Sequence, residues 1–260
     1  MNILDKIVIR KKEEVAAAKK KVSVAELESN PTFERKPLVF KDFLLDEKRT
    51  GIISEFKRRS PSKGLINGTA DVAEVTQAYN LAGASALSVL TDADFFGGRA
   101  EDLFVARAVN QIPILRKDFM IDEYQILEAK AWGADIILLI ASILTPQQII
   151  DFGKLGQSLG LNILLEVHNL EELERSICPH LDAIGVNNRN LGDFTVNIQT
   201  SFDLVDKIPV EFLKISESAI DNPQVIKELK AVGYNGFLIG ENFMKTDDPG
   251  QAIREFVTKL

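Results

Sequence analysis

Seven polar side chains stand where short apolar runs come to an end. Glu55 and Lys57 close GIISEFK, and Lys117 closes PILRK. Glu166 closes NILLE, Asn187 and Arg189 close AIGVNNR, and Glu217 follows EFLKIS. In an extended chain alternate side chains share a face, so Ile53, Glu55 and Lys57 point the same way, as do Leu115 and Lys117, Leu164 and Glu166, and Ile215 and Glu217. A buried charge without a partner is costly. Such ends therefore either pair with one another or line a hollow that a polar molecule enters. One salt bridge at a strand end is unremarkable; two lysines, three glutamates, an asparagine and an arginine at one rim point to a catalytic pocket. Neighbouring ammonium groups lower one another's pKa and neighbouring carboxylates raise it, a combination suited to proton transfer near neutral pH.

A second set of residues suits an anion. SESAIDNP and GENFMKTDDP follow the last two apolar runs. Ser218 offers a hydroxyl, Gly240 permits close approach to the backbone, and Ser60 and Lys57 on the first loop complete a phosphate-sized site. Metal chemistry has no support: the histidines are His168 and His180, and neither belongs to a ligand-spaced array. His168 reads as a structural rim residue. Cys178, the single cysteine, stands before Pro179 with no base spaced to activate it and reads as inert.

The elements that must hold these residues recur along the chain. Strand-like runs fall at 51–56, 86–91, 113–118, 135–140, 162–167, 183–188, 211–216 and 236–241. Helical patterns lie between them, several opening at a cap (Thr145 before Pro146, Asn222 before Pro223) and closing at a glycine (Gly83, Gly133, Gly160, Gly233). Eight strand–helix units predict an α/β fold, a closed parallel (β/α)8 TIM barrel, which carries its chemistry at the C-terminal ends of its strands. An open doubly wound sheet is the alternative, weakened because no G-x-G-x-x-G follows the first strand.

Residues 1–48 read as an N-terminal helical extension of a single domain spanning 1–260. A helix covers 2–20, with its Lys/Arg cluster read as a solvated face, and VFKDFLL forms a second, short helix. With 260 residues, 45% of them hydrophobic, the chain can bury a large core. Its net charge of -7 argues against general nucleic-acid binding. The lone cysteine excludes an internal disulfide framework and, with no signal-peptide pattern and no bilayer-length apolar run, predicts a cytoplasmic protein.

The motifs ISEFKRRSPSKG, SVLTDADFFGG, ILRKDFMIDEYQI, LLEVH, IGVNNRNL and SESAI, in this order and spacing, resemble the indole-3-glycerol phosphate synthase family over nearly the whole chain. The resemblance implies ring closure, decarboxylation and dehydration of 1-(2-carboxyphenylamino)-1-deoxyribulose 5-phosphate, with no cofactor. It implies Lys117 as the general acid at the carbonyl oxygen and Glu166 as its acid–base partner in dehydration. Glu55 and Asn187 would orient the substrate hydroxyls and the lysine, and Lys57 would stand toward the phosphate and share proton transfer. Arg189 would face the substrate carboxylate, Glu217 the sugar, and Phe96 and Phe119 the aromatic ring. Ser60, Ser218 and the backbone at Gly240 would hold phosphate. The implied partner is this small phosphorylated molecule, with no nucleic acid or membrane, and a monomer is expected. Two positions depart from the family pattern: Ala219 stands where glycine is usual, and Glu241 where a small residue is frequent. Rival readings are a phosphate-binding isomerase barrel, a Schiff-base aldolase using Lys117 or Lys57, and a non-catalytic metabolite sensor.

Overall fold

A computed structural model of the chain describes residues 2–190 and 194–260; Leu191, the last residue of the IGVNNRNL motif, lies outside them. Eight parallel strands close on themselves: β1 (Ile52–Phe56), β2 (Ala86–Leu90), β3 (Ile114–Lys117), β4 (Ile136–Ile140), β5 (Asn162–Val167), β6 (Ala183–Asn187), β7 (Leu213–Glu217) and β8 (Gly236–Ile239). Each pairs with the next, and β8 returns to β1. This is the expected closed barrel rather than an open sheet.

The strands read as continuous apolar runs because both of their faces are buried. Ile53, Leu115, Leu138, Leu164, Ile215 and Leu238 fill the barrel interior. The residues between them, such as Ile52, Ile114, Ile137, Leu165 and Phe237, pack outward against the helices. At the C-terminal end the inward column turns charged: Glu55 follows Ile53, Lys117 follows Leu115, Glu166 follows Leu164 and Glu217 follows Ile215. Alternation thus aims every one of these groups at the same mouth.

Connecting helices start and stop where local chemistry dictates. Thr145 caps Pro146–Ser158 with a reciprocal box to Gln148, and Asn222 caps Pro223–Ala231. Gly83, Gly133, Gly160 and Gly233 all take positive φ just past helix ends. A turn at residues 61–63 joins two-residue strands, Arg59–Ser60 and Gly64–Leu65, into a small hairpin in the first loop.

The N-terminal segment touches both ends of the barrel. Helix α1 (Ile3–Lys21) lies across the mouth, its Ile7 packing into the interior cluster that includes Phe119 and Ile140. Farther on, α2 (Val24–Glu28) packs beside the helix that follows β3. At the opposite end α3 (Phe40–Leu44) inserts Leu44 against Gly236, the first residue of β8. One expectation about α1 needs correction. Its basic cluster is not all solvated: Lys11 is buried, with Nζ 2.9 Å from Asp92, 2.9 Å from Asp118 and 2.6 Å from Glu14. The reason is spacing, since Lys11 falls on the inward stripe of Ile7 and Val15 and meets two loop carboxylates there.

Candidate active site

A pocket opens at the C-terminal mouth of the barrel, and β1, β3, β5, β6 and β7 deliver Glu55, Lys117, Glu166, Asn187 and Glu217 into it. Lys117 stands at the centre. Its Nζ donates to Glu166 Oε2 and to Glu217 Oε2, each at 2.9 Å. Lys57 Nζ pairs instead with Glu55 Oε1 at 2.6 Å, and Ser88 donates to the other oxygen of Glu55 at 3.4 Å. Asn187 Oδ1 accepts from the Ser218 hydroxyl at 2.9 Å and from the Arg189 backbone N–H at 3.0 Å. The Arg189 guanidinium lies 3.5 Å from Ser62 Oγ and 3.4 Å from Glu241 Oε2. Opposite these polar groups, Phe96 and Phe119 line an apolar wall with ring centroids 5.9 Å apart. The floor is Leu138, Ile140 and Leu238.

An adjoining hollow is lined by Lys57, Arg189, Ser218, Ala219, Gly240 and Lys245. It lies where the loops after β7 and β8 meet, beside the short helix Glu241–Met244 that begins just past Gly240. Of the four residues expected around phosphate, Lys57 and Ser218 line both spaces, Gly240 lines the hollow and Ser60 lines the main pocket. All twelve residues singled out at this rim therefore surround one continuous depression.

Sequence reasoning missed the room that two glycines, Gly185 and Gly240, make for its carboxylates. A Cβ on Gly185 would sit 2.3 Å from Glu217 Oε1, and one on Gly240 would sit 2.6 Å from Glu55 Oε1. Each glycine leaves room for a buried carboxylate on the neighbouring strand. The available signal was a glycine on an inward position one strand away from a glutamate.

The electrostatics sort the three central groups. Burial by itself would lower the Lys117 pKa, but Glu166, Glu217 and Glu55 together outweigh it and hold the amine as ammonium. Burial would raise both glutamates. For Glu166, the charges of Lys117 and His168 and hydrogen bonds from Lys117 and Asn187 win, keeping it well below the usual carboxylate range. Glu217 has Lys117 but also faces Glu166 and Glu55, and burial pushes it up to about 7. The group poised near neutrality is thus Glu217, while the lysine is firmly cationic. Two buried carboxylates share one ammonium, and the one that also has His168 and Asn187 beside it keeps the charge.

Comparison with known proteins now bears on this geometry. The sequence model of the indole-3-glycerol phosphate synthase family matches residues 4–256. The chain belongs to the indole-3-glycerol phosphate synthase family. An indole-3-glycerol phosphate synthase of Bacteroides thetaiotaomicron is 44% identical over 259 residues, covering 100% of this chain and 99% of its own length. One from Acidovorax sp. is 41% identical over 98% of both chains. Among solved structures, an N-acetylmannosamine-6-phosphate 2-epimerase from Clostridium perfringens superposes with a TM-score of 0.59 at 16% identity, covering 84% of this chain and 96% of its own. A thiamine phosphate pyrophosphorylase from Pyrococcus furiosus gives 0.57 at 16%, over 80% and 95%. At those identities the likeness is one of fold.

Within the indole-3-glycerol phosphate synthase pattern, the two departures now have geometry. Ala219 adopts φ +60° and Ser218 φ +66°, a region that favours glycine. Glu241 turns toward Arg189 and Lys63, at 3.4 Å and 3.6 Å, so its charge is met at the edge of the hollow. Among the described residues, no group of three or more His, Cys, Asp or Glu is arranged to hold a metal ion, and no helix is long and apolar enough to cross a membrane.

Proposed function

We propose that this protein converts 1-(2-carboxyphenylamino)-1-deoxyribulose 5-phosphate to indole-3-glycerol phosphate, the reaction of its family. The carrying observation is the placement of Lys117 between Glu166 and Glu217, in a pocket with an aromatic wall that adjoins a hollow bearing Lys57, Arg189 and Lys245. The substrate has three unlike ends, and the depression offers a match for each. Phe96 and Phe119 take the aromatic ring, with Arg189 as the fork for its carboxylate. Lys57, Ser60, Ser218 and the Gly240 backbone take the phosphate. Glu55, Asn187 and Glu217 align the sugar hydroxyls.

Holding the ring carbon against the ribulose carbonyl supplies the proximity term. As the new carbon–carbon bond forms, the carbonyl oxygen gains charge, and Lys117 gives it a proton, a contribution of order 10²–10⁴ in rate. The ring carboxylate then leaves as carbon dioxide. Glu166 next assists loss of the hydroxyl as water and of a carbon-bound proton, completing the aromatic indole. No step calls for a cofactor. A Schiff-base route is disfavoured because it needs a neutral amine, and three carboxylates keep Lys117 charged.

We read the protein as a monomer in a reducing, cytoplasmic setting, with which the free Cys178 is compatible. The test is direct: incubation of the purified protein with the carboxyphenylamino substrate yields indole fluorescence. Borohydride added during turnover leaves no adduct. Absence of fluorescence, or a trapped lysine, defeats this assignment.

A further inference from the structure

Each turnover of the proposed reaction takes up a proton. Ring closure puts one proton on the carbonyl oxygen, expulsion of water takes a second, and one carbon-bound proton is returned. The carboxylate, arriving charged, departs as neutral carbon dioxide, so the balance is one proton consumed. A substrate that fills the mouth covers Lys117, Glu166 and Glu217 together. The consumed proton needs a source within reach of those groups.

His168 stands immediately behind Glu166. Its Nε2 is 3.4 Å from Glu166 Oε1 and is buried with no hydrogen-bond partner, short of the distance and angle a settled bond requires. Its Nδ1 lies 3.1 Å from Glu172 Oε2, and the same oxygen accepts the His168 backbone N–H at 2.8 Å. Glu172, on the helix Leu170–Ser176, therefore fixes the ring and presents Nε2 to the active-site carboxylate. On its far side the ring borders a separate polar cleft, lined also by Ser142, Asn169, Glu172, Asn188 and Asn197. Asn187 lines both spaces, whereas His168 lines the cleft and not the substrate pocket. This imidazole thus lies between the active-site carboxylate and a polar cleft distinct from the main pocket.

We propose that His168 supplies the proton each turnover consumes, passing it from Nε2 to Glu166 and regaining it from the polar cleft. The inference rests on the function proposed above. The step balances simply: the His168 Nε2–H bond breaks as a Glu166 O–H bond forms, that proton leaves with the departing hydroxyl as water, and the carbon-bound proton released in dehydration restores the Lys117 ammonium. Glu166 becomes a willing acceptor at the right moment, because its nearest cation is gone once Lys117 has given its proton to the carbonyl oxygen. Neutral His168 keeps its Nδ1–H on Glu172. The charged groups facing the ring are Glu172 and Glu166, with Glu217 more distant; Lys117 lies beyond Glu166, and Arg175 beside Glu172. Burial lowers the imidazole pKa, but these carboxylates outweigh it and the net direction is up, which favours the protonated ring. His168 touches no substrate and acts through Glu166, as a positioning and proton-supplying residue.

The experiment follows kcat against pH for the native protein, His168→Gln and Glu172→Gln. Glutamine keeps a donor toward Glu166 with no proton to give. We expect kcat of His168→Gln to fall about tenfold or more, with KM unchanged and with the alkaline limb of the profile lost. Glu172→Gln retains the imidazole but not the carboxylate that raises its pKa, so its alkaline limb moves to lower pH. Added imidazole restores turnover to His168→Ala, a rescue that a purely structural histidine would not show. A folded His168→Gln with native kcat and native profile overturns the proposal, as does an unmoved limb in Glu172→Gln. If the native protein makes no indole product, the functional assignment fails and this inference falls with it; normal native turnover with indifferent variants removes His168 alone.

Discussion

Replacing Ala219 with glycine makes the protein more stable. Ala219 holds φ +60° in the loop after β7, immediately following Ser218 at φ +66°. A left-handed conformation costs an L-residue about 1–2 kcal/mol because Cβ crowds the following carbonyl. Glycine avoids that clash but gives back part of the gain through the entropy of a freer unfolded chain, about 0.5–1 kcal/mol. The net expectation for Ala219→Gly is stabilisation by about 0.5–1 kcal/mol, which for a chain of this size raises Tm by about 1–4 °C. Ser218 supplies the internal control. It carries the same backbone strain, yet its hydroxyl donates to Asn187 at 2.9 Å. Ser218→Gly relieves the strain and loses that bond, worth about 1 kcal/mol, so its stability stays within a few tenths of the parent. Urea titrations of the three proteins, with the m-value held constant, measure both differences. If Ala219→Gly is neutral or destabilised while Ser218→Gly gains, steric strain at this corner is not what the two φ angles signify.

Lys117→Ala lowers kcat at least about 100-fold with the circular dichroism spectrum retained, since it removes the donor to the carbonyl oxygen; near-normal turnover removes Lys117 from that role. Lys11→Met leaves Asp92 buried without its cation and Asp118 with Arg116 alone, and destabilises by about 3–5 kcal/mol, read by denaturant melts. The same variant changes the pH response. Burial would raise the Asp118 pKa, but Lys11 and Arg116 hold it below the unfolded value. Its stabilisation is therefore present above the usual carboxylate pKa and lost as the solution is acidified, and Lys11→Met flattens that acid-side loss; an unchanged acid limb refutes the assignment. Gly240→Ala drives a methyl group to within 2.6 Å of Glu55 Oε1. It costs about 1–3 kcal/mol and raises KM by displacing the Glu55–Lys57 pair, both measurable on one preparation.

Much of this was legible in the residue order, for a physical reason. Strand alternation has a period of two, so a polar residue two positions beyond an inward-facing apolar one continues the same face. That rule alone carried Glu55, Lys117, Glu166 and Glu217 to one mouth, as the interior column of Ile53, Leu115, Leu164 and Ile215 bears out. Caps and terminal glycines marked the helices because their signals are local. Lys11 escaped, since a lysine among lysines looks solvated until two carboxylates from loops some 80 and 107 positions away in sequence are brought beside it.

What the sequence determined unaided was the repeating unit, the face each strand presents and the kinds of group gathered at the rim. The tertiary structure decided how those groups pair. Lys117 sits with Glu166 and Glu217, Lys57 with Glu55, and His168 between Glu172 and Glu166. Such pairing depends on distances of a few ångströms between residues far apart in the chain. Coulombic energy and desolvation vary steeply over that range, so the charge state of each group belongs to the closed barrel and not to any segment of it.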